Sequence, residues 1–234
     1  MAAPFLAWSH SRLKTFNACP KQLYHTAILK RTDPGYVPYI EGKAQRDGKE
    51  IDQALSDRIG KGVPLPAKFA PYEPIAGMVL ALPGAKFTQL QLGLDQTFTP
   101  CGYKDWDNCW VRVAYDLAVI NDWHAYLWDW KNGKVWIDES QLRLYATIGF
   151  HVYPELEVID TSFVWLAHGK TSDKTYRRRE LPDLWETFLP DVERLQVSFK
   201  TNHWPATPSE SACKWCSVNQ AGKCPVAAVK YAGR

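Results

Sequence analysis

From residue 111 the chain alternates strictly. Val111, Val113, Tyr115, Leu117 and Val119 take one parity, and Arg112, Ala114, Asp116, Ala118 and Ile120 take the other. A period of two is that of a β-strand. Asn121-Asp122 is a turn pair, and residues 123–131 run back as a second strand rich in aromatic residues, ending at Asn132-Gly133. With Asn121-Asp122 as a two-residue loop, Ile120 faces Trp123 and Asp116 lies opposite Leu127. Asp116, Asp129 and Lys131 then project from one face, with Asp116 and Asp129 on a diagonal whose β-carbons are about 7 Å apart or less. Trp128 and Trp130 point the other way, into a core, although tryptophans here, Trp123 included, also offer stacking surfaces for bases.

Two carboxylates at that separation can converge on one hard cation, whose oxygen ligands sit at about 2.1 Å. Such an ion lowers the pKa of a bound water and offsets charge developing on phosphorus, and an adjacent ammonium adds a second positive charge. The trio therefore suits phosphodiester hydrolysis. The competing account is that Asp and Lys mark the solvent face of a strand.

The surrounding elements predict an α/β fold, a central sheet flanked by helices. Ser9 caps a short helix that carries Leu13 and Phe16 and ends near Cys19-Pro20. Ile51, Leu55 and Ile59 recur at helical spacing within 41–59, and 63–74, with four prolines, reads as an extended connector. One or two strands are expected over 86–98. A helix capped by Asp138 spans 139–152, a strand follows over 157–167, and a single amphipathic helix is expected over 182–200. The tail from Ser209 is short, polar and rich in cysteine.

At 234 residues, 46% hydrophobic and with 11 Trp and 11 Tyr, the chain can bury a sizeable core and is not disordered. Its net charge of +3 is too small to argue for a nucleic acid partner by itself. The compact run Lys174-Thr-Tyr-Arg177-Arg178-Arg179 is either a solvated loop or a set of phosphate contacts. No stretch approaches a membrane span and the first ten residues lack a signal-peptide pattern, so a cytoplasmic protein is expected, in a bacterium or a phage-infected cell. Six cysteines in such a chain favour metal ligation over disulfides. Cys213-Lys-Trp-Cys216 with Cys224 supplies three thiolates; Cys101 and Cys109 acquire no role.

Asp116, then Asp129-Trp130-Lys131, then Gln141-Leu-Arg-Leu-Tyr145 resembles, in order and spacing, the RecB-like branch of the PD-(D/E)XK nuclease superfamily. Gln141 and Tyr145 are four apart and share a helix face. The resemblance implies that Asp116, Asp129 and the backbone carbonyl of Trp130 bind Mg²⁺ or Mn²⁺, that Lys131 is catalytic, and that Gln141 and Tyr145 complete the site. Asp52, in Gly48-Lys-Glu-Ile-Asp52, stands where the family has a histidine ligand, and Val113 where it commonly has a glycine. An oxygen donor at that position favours harder metals.

The segment from Ser11 to Tyr24 resembles the N-terminal helix of the family's iron–sulfur members, which include CRISPR-associated adaptation nucleases and AddB-type nuclease domains. That resemblance makes Cys19 the fourth ligand, with Cys213, Cys216 and Cys224, of a structural [4Fe–4S] cluster. Zinc, held by the same four cysteines or with His203 replacing Cys19, is the rival occupant. The chain then forms one nuclease domain over 1–234, with a catalytic core near 84–170 and its ends, 1–30 and 205–234, joined at the cysteines. Its partners are DNA, as ends or single strands, and recombination or repair proteins, with no membrane. Arg177, Arg178 and Arg179 are the candidate DNA contacts. The alternative function is a non-catalytic, metal-stapled DNA-binding accessory protein of the same fold; a zinc-ribbon interaction protein accounts for the tail but not for the hairpin.

Overall fold

The computed structural model describes residues 5–39, 41–136 and 138–230. In chain order the elements are α1 (His10–Ala18), α2 (Pro20–Leu23), α3 (Lys43–Lys61), α4 (Glu73–Ala81), β1 (Ala85–Leu94), β2 (Pro100–Cys101), β3 (Val111–Asn121), β4 (His124–Lys131), α5 (Glu139–Val152), β5 (Val158–Trp165), β6 (Lys170–Arg177), α6 (Leu181–Glu186), α7 (Leu189–Thr201), α8 (Glu210–Cys213) and α9 (Ser217–Gln220). The chain divides into two compact units, one of residues 1–43 with 188–234 and one of residues 44–187.

The second unit is an α/β layer structure around a six-stranded mixed sheet of order β2-β1-β3-β4-β5-β6. Every neighbouring pair is antiparallel except β4 and β5, which run parallel with α5 as the crossover. Ile51, Leu55 and Ile59 of α3 are all buried, and with Ala76 and Val79 of α4 they form a core with Leu117, Val119, Trp128 and Trp130. The two tryptophans are thus core residues. Opposite-parity residues meet α5: a Cβ on Gly149 would stand 2.9 Å from Ile159 and 3.6 Å from Leu127. Helices therefore cover both faces of the central strands.

Three expectations are corrected. Residues 63–74 are not wholly extended, since a 3₁₀ turn covers Ala67–Tyr72 and α4 starts at Glu73 with Pro74 in its first turn. Proline lacks an N–H that the first helical turn does not need, so it starts a helix as readily as it excludes one. The single helix over 182–200 is broken between Glu186 and Leu189, because Pro190 removes a backbone donor and clashes with the preceding turn. The basic run belongs to β6, an edge strand in which Tyr176 is the buried residue, and to the 3₁₀ turn after it. An edge strand needs few apolar side chains and leaves little periodic signal.

In the first unit α1 is capped by Ser9, whose hydroxyl accepts from Arg12 N, and Leu13 and Phe16 are buried. Trp204 stacks on Tyr24 at 5.8 Å and meets Phe16 edge-on at 6.4 Å. The tail contains two helical turns, α8 and α9, with Ser209 capping the first. Among the described residues no helix is long and apolar enough to cross a membrane.

Candidate active site

β3 and β4 pair from Asn121↔His124 to Leu117↔Trp128. The loop is therefore Asp122-Trp123, not Asn121-Asp122, and Asp122 takes the positive φ of 44° that the turn requires. The register differs by two residues from the expected one. Two is the period of a strand, so the same side chains still share a face, and Asp116 comes level with Asp129 instead of diagonal to it. Past this point the strands part. The Trp130 N–H, no longer served by the ladder, donates to Asp116 Oδ2 at 2.9 Å.

Alternation breaks at the same place. Leu117 belongs to the core with α3, whereas Tyr115, two residues earlier, donates its hydroxyl to the Tyr145 carbonyl of α5 at 2.8 Å. In an unbroken strand they would face alike. β1 breaks in step. Thr88 pairs with Leu117 and Leu90 with Tyr115, while Gln89 between them is left-handed with φ 53°. For a residue with a side chain that conformation costs about 1–2 kcal/mol.

Asp129 is 4% exposed. Its Oδ1 lies 2.6 Å from Gln141 Nε2 and 2.9 Å from the Tyr145 hydroxyl. The same hydroxyl is 2.9 Å from the Ala114 carbonyl and accepts from Gln141 Nε2 at 3.0 Å, so its one proton serves either Asp129 or Ala114. Lys131 Nζ pairs with Asp129 Oδ2 at 2.6 Å and donates to Gln141 Oε1 at 3.2 Å. Gln141 thus spans the acid and the ammonium, its amide oriented by both. α5 delivers Gln141 and Tyr145 one turn apart because Asp138 caps it, accepting from Ser140 N at 3.3 Å.

Asp52, from α3, joins this group. Gln89 Nε2 lies 2.8 Å from each of its carboxylate oxygens. Burial, partly offset by that hydrogen bond and reinforced by the charge of Asp129, pushes the Asp52 carboxyl up to about 6. Asp116 is held well above the usual carboxylate range by burial, then by the charges of Asp129 and Asp52. Burial, then the charges of Asp129 and Asp116, raises the Tyr145 phenol as well. Nothing in the local pattern marks Gln89, since a left-handed residue inside a strand has no periodic signature.

Asp52, Asp116 and Asp129 thus oppose one another's ionisation, with Lys131 beside Asp129. Among the described residues no hydrogen-bond donor reaches Asp129 Oδ2 in hydrogen-bonding geometry, and that buried oxygen has just the ion pair with Lys131. Among the described residues no three His, Cys, Asp or Glu side chains stand close enough together to hold one ion. The fit is thus to two carboxylates, Asp116 and Asp129, with other ligands from backbone and water, as is usual for Mg²⁺.

In the other unit Cys19, Cys213, Cys216 and Cys224 line one cavity of about 20 Å³, room on the order of one water. His203 is not part of that lining. All four are free thiols, and Cys213 Sγ accepts the Ala228 N–H at 3.4 Å. Burial raises the Cys216 thiol, and Cys19 and Cys224 are near enough to add to the effect. Cys101 and Cys109 form a separate pair over Gly93, where a Cβ would stand 2.7 Å from Cys109 Sγ. Burial and its hydrogen-bonded partner Cys109 push the Cys101 thiol up to about 12.

Of the three arginines, Arg177 and Arg179 are exposed. Arg178 is committed elsewhere: its guanidinium donates to the carbonyls of Leu156 at 2.6 Å, Tyr153 at 2.7 Å and Phe150 at 3.0 Å. It closes the C-terminal end of α5, a task that no local pattern announces.

No protein-family profile matches the chain, and no curated protein matches it. Among solved structures it is similar to the crystal structure of SSO0001, with 11% identity over 95% of this chain and 88% of that one and a TM-score of 0.38. A likeness at that level carries no argument.

Proposed function

We propose that the chain is a metal-dependent deoxyribonuclease with the PD-(D/E)XK core of the RecB-like branch, acting on DNA ends or single strands. The observation that carries this reading is the setting of Asp129, buried and level with Asp116, and held by Lys131, Gln141 and Tyr145 together. A strand's solvent face has no use for such a network. Asp116 and Asp129, with the Trp130 carbonyl and Asp52 nearby, would hold Mg²⁺ or Mn²⁺. When bound, that ion supplies a Lewis acid for the phosphate and an acidified water. Lys131 places positive charge where the phosphoryl oxygens gain negative charge and helps to orient the attacking water. Gln141 fixes Lys131 against Asp129, and Tyr145 fixes Asp129 against β3. Arg177 and Arg179 are free of the carbonyl contacts that occupy Arg178 and are the better candidates for phosphate contacts.

In the same reading Cys19, Cys213, Cys216 and Cys224 hold a structural metal group that ties the chain ends. The family resemblance favours [4Fe–4S], and a single zinc ion is the rival occupant. Iron, sulfide and zinc analysis of anaerobically purified protein separates the two. Recombination or repair proteins are the expected partners.

End-labelled single- and double-stranded DNA incubated with the protein and Mn²⁺ should be degraded. Asp129→Ala and Lys131→Ala should each slow this by roughly 100-fold or more. Intact DNA, or an Asp129→Ala variant as fast as the wild type, would leave the accessory-protein reading in its place.

A further inference from the structure

We infer that Gln89 is a positioning residue, whose left-handed break in β1 aims its amide at Asp52 and fixes that carboxylate beside Asp116 and Asp129. Three observations converge. Gln89 occupies the rung of β1 facing Asp116, between the Thr88↔Leu117 and Leu90↔Tyr115 pairs. Its φ of 53° belongs to glycine or asparagine, yet the residue is a long primary amide. Its Nε2 reaches both Asp52 oxygens at 2.8 Å, a contact that a glycine at this turn would lose.

Asp52 needs such a tether. It stands one helical step beyond Ile51, which faces the core, and it comes from a different layer than the strand carboxylates. Without Gln89 it meets two like charges and has every reason to swing toward solvent. The neutral amide holds it without cancelling its charge, as lysine or arginine would. A carboxylate fixed beside the two ligand carboxylates strengthens the negative field that draws a cation to them, and outer-shell groups of this kind typically govern metal affinity by about 10–100-fold. The metal consequence rests on the nuclease reading above, whereas the tether itself does not.

The full-length protein, Gln89→Gly, Asp52→Asn and the double variant decide this, with Mn²⁺ alone as the probe, titrated by the electron paramagnetic resonance signal of the free ion. Gln89→Gly removes the amide and relieves the backbone. It should melt at or above the wild-type temperature without metal and still bind Mn²⁺ about 10-fold more weakly. Asp52→Asn should weaken binding comparably, and the double variant should be no worse than the weaker single one, because both substitutions abolish one contact. Wild-type affinity in Gln89→Gly, or losses that multiply in the double variant, would overturn the inference. Mn²⁺ binding by a wild-type chain that cuts no DNA defeats the nuclease reading alone. A wild-type chain that binds no Mn²⁺ defeats the nuclease reading and the metal consequence of the tether together.

Discussion

Asp116 shows how function and stability oppose each other at one side chain. Its carboxyl is buried and faces the charges of Asp129 and Asp52, so the folded chain resists its ionisation although the Trp130 N–H donated to it favours the charged form. An asparagine keeps the acceptor for Trp130 and removes the charge. Asp116→Asn should therefore raise the melting temperature of the metal-free protein at pH 7 while abolishing DNA cleavage, the trade-off expected where a site gathers like charges. A lower melting point by calorimetry would show that repulsion is not what this carboxylate contributes. Strand parity put Asp116, Asp129 and Lys131 on one face in the sequence, whereas Gln141 and Tyr145 were candidates through the family resemblance alone. Gln89 was not a candidate, since its importance lies in a contact 37 residues away along the chain.

At the scale of elements, α5 links the site to the far side of its unit. Asp138 starts it, Gln141 and Tyr145 reach Asp129, and Arg178 binds the carbonyls at its end. Beside that end the Trp185 indole N–H donates to His151 Nε2 at 2.9 Å, which requires a neutral imidazole. Burial, then the charge of Arg178, lowers the His151 pKa below its ordinary 6.5. The unfolded chain therefore takes up a proton near pH 6.5 that the folded chain refuses. Stability is lost as pH falls below about 6.5 and stops falling once the lower folded value is passed. His151→Gln, which still accepts from the indole, should flatten the dependence of melting temperature on pH between 7 and 5. A slope equal to the wild type's would exclude His151 as its source. The extent of α5 and its cap were readable from sequence, but β6 and the break before α7 were not. The first has an edge strand's weak alternation, and the second turned on Pro190 inside an otherwise helical pattern.

For the whole molecule, both chain ends belong to one unit and the sheet with its carboxylates to the other. Any metal held by Cys19 and the three tail cysteines would crosslink residues nearly the full length of the chain apart, the geometry in which loop closure constrains the unfolded state most. Removing that metal, or replacing Cys216 by Ser, should lower hydrogen-exchange protection in α1, α7 and the tail. Protection in β3, β4 and β5 should persist. Equal loss across the sheet would mean that the cysteine site supports both units.

The sequence by itself determined which residues alternate and which recur each helical turn, and hence the parity that places Asp116, Asp129 and Lys131 on one face. Parity is local, and it survived a register error of two residues because two is the period of the strand. Tertiary structure alone decided where β3 and β4 part, that Gln89 turns left-handed to reach Asp52, and that Arg178 closes α5. Each of these joins groups distant in sequence, and their energy comes from burial and from unpaired backbone groups that no local pattern records.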